Sequence, residues 1–75
     1  MDDARKIKKV IGVLIHLSEH RGRSLVSGDL VKSEFFQKKC EELKNILTKN
    51  WDQINDLEFK FNKFQRTLEN DRKKL

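Results

Sequence analysis

The sequence predicts an all-α protein: an antiparallel helical hairpin with a long second helix that dimerises into a helical bundle. Three observations predict it. From Phe36 onward, Cys40, Leu43, Leu47, Asn50, Ile54, Leu57, Phe61, Phe64, Leu68, Asp71 and Leu75 follow at alternating steps of four and three, the spacing of a heptad seam. Nine of these twelve positions are large and apolar. Upstream, Ile7, Val10, Ile11, Leu14 and Leu17 recur at helical spacing. Finally, the chain has no Pro, no Tyr and only three Gly, which leaves too little turn chemistry for a β architecture.

The first helix is expected over residues 3–21. Asp2 and Asp3 stand where acidic side chains stabilise a helix N-terminus. Val13 and Ile15 widen the apolar surface, so this helix should touch more than one neighbour. His20 and Arg21 suit the negative end of a helix, and Gly22 suits the left-handed residue that closes one. Residues 22–28 then form a loop, with Leu25 and Val26 expected to tuck over the end of the core. Ser27 or Asp29 caps a second helix over residues 30–74.

The segment Thr48-Lys49-Asn50-Trp51-Asp52-Gln53 admits two readings. In one, Asn50 is a polar d residue inside an unbroken helix and sets register. In the other, Asn50 is an N-cap, Gln53 completes a capping box, and the chain is a compact three-helix bundle with a break near Asn50. The heptad phase passes through Asn50 unchanged, which favours the unbroken helix. Such a helix would extend well beyond the first one and leave Leu57, Phe61, Phe64 and Leu68 uncovered. A second chain or a foreign helix must then cover them. In a parallel pair Lys39 would face Lys44, so an antiparallel dimer is preferred.

At 75 residues, the chain is expected to be a single helical domain of marginal core size. Seventeen Lys and Arg against twelve Asp and Glu give a net charge of +5. That excess permits contact with polyanions without requiring it. One Cys excludes an internal disulfide framework and points to a reducing, cytoplasmic compartment. The longest apolar run, Val10 to Ile15, is too short to span a bilayer, and no signal-peptide cleavage site follows it.

No set of residues suggests catalysis, a cofactor or a metal centre. His16-Leu17-Ser18-Glu19-His20 matches H-x-x-E-H, and two His at i and i+4 share one helical face. A third ligand and a walled cleft are not in view, so these read as polar residues near a helix end. Cys40, on the seam, reads as a small core residue. Asp71 reads as part of a frayed final turn. Phe59 falls at f, away from the seam, and Phe35 at c, so both invite a partner or an intramolecular cover.

The expected function is non-enzymatic protein–protein interaction, as an adaptor, small chaperone or regulatory subunit. Leu43, Leu47, Trp51, Ile54, Leu57, Phe59, Phe61, Phe64 and Leu68 would carry it by helix–helix packing, with a homo-oligomer expected. Nucleic acid is the less favoured partner. For that alternative the candidate phosphate contacts are Arg5, Lys8, Lys9, Arg21 and Arg23, but no zinc-finger spacing, RNP motif or glycine-rich phosphate loop accompanies them.

Overall fold

The computed structural model describes the backbone of residues 2–75 and the side chains from residue 3 on. The expected capping role of Asp2 lies outside those side chains. Three helices make up the described chain: α1 (Asp2–Ser27), α2 (Leu30–Lys49) and α3 (Ile54–Lys73). The 26 residues of α1 correspond to about 39 Å of helix, which matches the longest dimension of 40 Å. The all-α class holds, and of the two architectures it is the three-helix one.

α1 runs to Ser27, not to residue 21. Gly22 stays inside the helix, and Gly28 supplies the left-handed residue at φ 80°. The Asp29 amide donates to the Ser24 carbonyl at 2.9 Å and the Gly28 amide to Leu25 at 3.2 Å, the paired bonds of a Schellman closure. The helix continues past Gly22 because its buried face does: Ser24, one turn beyond His20, is buried and donates to the His20 carbonyl at 2.8 Å. The expected seven-residue loop thus shrinks to Gly28 and Asp29. Asp29 caps α2 by accepting the Lys32 amide at 3.1 Å, one of the two caps the sequence offered.

α2 ends at Lys49, which corrects the unbroken helix over 30–74. Asn50 is the C-cap of α2 and not an N-cap. Its amide side chain donates to the Ile46 carbonyl at 2.8 Å, and its Oδ1 accepts from Lys60 Nζ at 3.1 Å. Its carbonyl accepts the Gln53 amide at 3.0 Å. Gln53 stands at the N-cap of α3 without a side-chain capping bond. Asn50 therefore seals one helix and ties down the next, which is why a buried Asn is tolerated there.

Burial decides between one helix and two. The break brings Leu57, Phe61, Phe64 and Leu68 into the core beside Val10, Leu17, Phe36 and Leu43. Burying each such side chain stabilises by about 1.5–3 kcal/mol. Interrupting a helix gives up a few backbone hydrogen bonds, each worth about 1 kcal/mol net, and Asn50 restores part of that. For one chain on its own, folding back wins.

The backbones of α1 and α2 approach each other most closely, and α3 packs against both. Phe61 and Phe64, buried on α3, hold its axis farther from its neighbours than Leu or Val would. Two further links fasten it. Lys6 of α1 pairs with Glu58, and Lys39 of α2 pairs with Asp71.

Candidate interaction surface

Most of the seam residues expected to meet a partner are spent inside the molecule. Leu43, Leu57, Phe61, Phe64 and Leu68 are buried in the core, and Leu47 and Ile54 pack half-buried against it. Cys40 is half-buried too, its Sγ 3.8 Å from Ser18 Oγ on α1. Only Trp51, in the α2–α3 link, and Phe59, on the outer side of α3, stay open, at 58% and 68% exposure. Phe35 is covered from within: it meets Phe36 edge-on at 5.2 Å and lies beneath Lys39.

The basic residues do not form one patch. Arg5, Lys8 and Lys9 are exposed near the start of α1, while Arg21 and Arg23 are exposed near its end. Sixteen residues of helix, about 24 Å, separate Arg5 from Arg21. Arg23 instead joins His20, Lys32 and Arg72 around a surface cleft of about 490 Å³, to which Ser24 and Ser27 also contribute. All three helices supply part of it.

Phe36 forms the floor of that cleft. The His20 ring stacks on it at 5.1 Å, and the Arg72 guanidinium lies 5.8 Å from its centre. Burial lowers the His20 pKa below its usual 6.5, and the positive charges of Arg72, Arg23 and His16 lower it further against the opposing Glu19. The carboxylates nearby compensate weakly. Arg23 reaches Glu19 only at 4.0 Å and Lys32 reaches Asp29 at 3.9 Å, exposed pairs of the kind worth little. The cleft is a cationic one.

Beside it stands an apolar surface that sequence reasoning placed wrongly. Leu25 and Val26 close α1, Leu30 and Val31 open α2, and the Gly28 turn lies between them. Their exposures are 49%, 91%, 71% and 72%. Leu25 and Val26 were expected to fold over the core. Because α1 stays helical to Ser27, they project from its last turn instead. Four branched apolar residues crowded around one Gly-Asp turn were the signal available in the sequence.

The H-x-x-E-H pattern does not assemble into a metal site. His16 Nδ1 lies 3.9 Å from Glu19, while His20 turns to Phe36. Among the described residues no group of three or more His, Cys, Asp or Glu is placed to hold a metal ion. Among the described residues no helix is long and apolar enough to cross a membrane. Comparison with protein families, curated proteins and solved structures finds no match to this chain.

Proposed function

We propose that this protein is a non-enzymatic protein–protein interaction module that engages its partner through the α1–α2 hinge. The observation that carries the reading is the exposed cluster of Leu25, Val26, Leu30 and Val31 at one end of the bundle. Isolated surface apolar residues are ordinary, but four around one turn concentrate exposed apolar surface at one place, the usual mark of a contact surface. Arg23 and Lys32 line the cationic cleft that opens beside it. The partner that fits is an apolar helical segment flanked by acidic residues. Apolar burial supplies affinity, and the basic rim supplies orientation and rejects basic partners.

The test uses two fluorescently labelled amphipathic helical peptides with the same apolar face, one flanked by Glu and the other by Lys. Anisotropy titration should show the Glu-flanked peptide binding at least about tenfold more tightly, a difference of about 1.4 kcal/mol. The double substitution Leu30→Ser/Val31→Ser should abolish that binding while leaving the melting temperature unchanged. Equal binding of both peptides, or undiminished binding by the double variant, would refute the reading.

A further inference from the structure

A second heptad seam runs along the flank of α1, one residue on from its buried face, and the bundle leaves it exposed. Ala4, Lys8, Ile11, Ile15, Ser18 and Gly22 follow at alternating steps of four and three, and all six are exposed. Ile15 is 52% exposed and Ile11 39%. A Cβ built on Gly22 would meet nothing within 4 Å, so the helix can be approached closely there. At its edge the seam borders α2, where Ser18 meets Cys40.

We infer that a second copy of this chain docks antiparallel on this face, α1 against α1. Setting Ile11 opposite Ile15 of the second copy also sets Ala4 opposite Gly22 and Lys8 opposite Ser18. The two-fold axis repeats every one of these layers. The small residues pair with each other, and the four isoleucines meet at the centre. Lys8 then lies beside Glu19 of the second copy, on the same flank of the helix pair. Glu19 is suited to accept it, because its contacts within the chain, to His16 at 3.9 Å and Arg23 at 4.0 Å, are long.

A parallel pair has no such match. It would stack Lys8 on Lys8 inside the seam and leave a gap where Gly22 meets Gly22. Charge and shape together select the antiparallel arrangement. Residues 4–22 pair over about 27 Å of helix. The contact is narrow, so association depends on concentration. In the dimer the two hinge surfaces lie at opposite ends, about 45 Å apart, which makes the assembly bivalent. The dimer itself does not depend on what the hinge binds.

Sedimentation equilibrium from micromolar to millimolar protein tests the inference. Wild type should shift from monomer toward dimer, and Ile15→Glu should stay monomeric with unchanged helicity and melting temperature. Lys8→Glu and Glu19→Lys should each weaken the dimer about tenfold, and the double reversal Lys8→Glu/Glu19→Lys should restore it. The hinge variant Leu30→Ser/Val31→Ser should dimerise like wild type, which separates this inference from the hinge reading. A wild-type monomer at millimolar concentration would overturn it. So would an Ile15→Glu dimer, or charge variants whose effects do not cancel.

Discussion

Lys39 of α2 donates a 2.8 Å hydrogen bond to Asp71 Oδ2 of α3, joining residues 32 positions apart. Glu42 stands 3.5 Å away on the other side of the ammonium. Burial alone would lower the Lys39 pKa, but Asp71 and Glu42 together raise it above 10.5. The same bond holds Asp71 below its ordinary 3.8, against the opposing effect of partial burial. The final turn of α3 is therefore anchored, not frayed.

Removing the carboxylate leaves a nearly buried ammonium with only the longer Glu42 contact, so Asp71→Ala should lower the melting temperature. Lys39→Met/Asp71→Ala should recover most of that loss, because an apolar side chain of similar length needs no partner. The pH dependence has a definite sign. Asp71 has a depressed folded-state pKa, so its contribution is present above 3.8 and is lost as pH falls through the lower folded value. Urea titrations below pH 4 should show wild type losing stability more steeply than Asp71→Asn.

The roles of Gly22 and Gly28 can be separated by substitution. Gly28→Ala forces a β-carbon into the left-handed region and should cost about 1–2 kcal/mol in urea denaturation. Gly22→Ala, helical and unobstructed, should stabilise a dilute sample by about 0.5–1 kcal/mol. Opposite signs at two glycines six residues apart would confirm which of them closes α1.

Core and surface apolar residues should behave differently. Leu57 is fully buried, so Leu57→Ala should cost about 2–5 kcal/mol. Phe59→Ala and Trp51→Ala should each stay within about 0.5 kcal/mol, since neither is held in the core. A Leu57→Ala cost that is the same at low and high protein concentration distinguishes the folded-back α3 from an unbroken helix, in which a second chain would have to cover Leu57.

His20 should make stability sensitive to mild acid. Its folded-state pKa is lowered by burial first and by Arg72, Arg23 and His16 after it, with Glu19 opposing. The unfolded chain therefore binds the proton more readily. Stability should begin to fall as pH drops below 6.5 and finish falling below the depressed folded value. In His20→Gln the slope between pH 7 and 5 should flatten, as read by chemical denaturation.

Much of this structure was legible in the residues, and the failures share one cause. The start of α2 at Leu30 and its Asp29 cap follow from local chemistry, where a short acidic side chain and the following amide are in reach whatever the rest of the chain does. The end of α1 was misread because Gly22 looks like a terminator when its neighbours are ignored. Ser24 is buried and bonds back to the His20 carbonyl as the helix runs on to Ser27, and that extension exposes Leu25 and Val26. The cationic cleft could not be read at all, because His20, Lys32 and Arg72 meet only when three helices are packed.

By itself the sequence determined that this protein is helical and which side of each helix is apolar, and it narrowed the cap of α2 to Ser27 or Asp29. The tertiary structure alone decided that the seam of residues 36–75 closes on its own chain. The physical reason is that a heptad period records which face must leave water, not what covers it. The same Leu57, Phe61, Phe64 and Leu68 would satisfy a second chain or α1 equally well in pattern. With Asn50 able to close α2 and hold α3, the nearer partner is the rest of the chain.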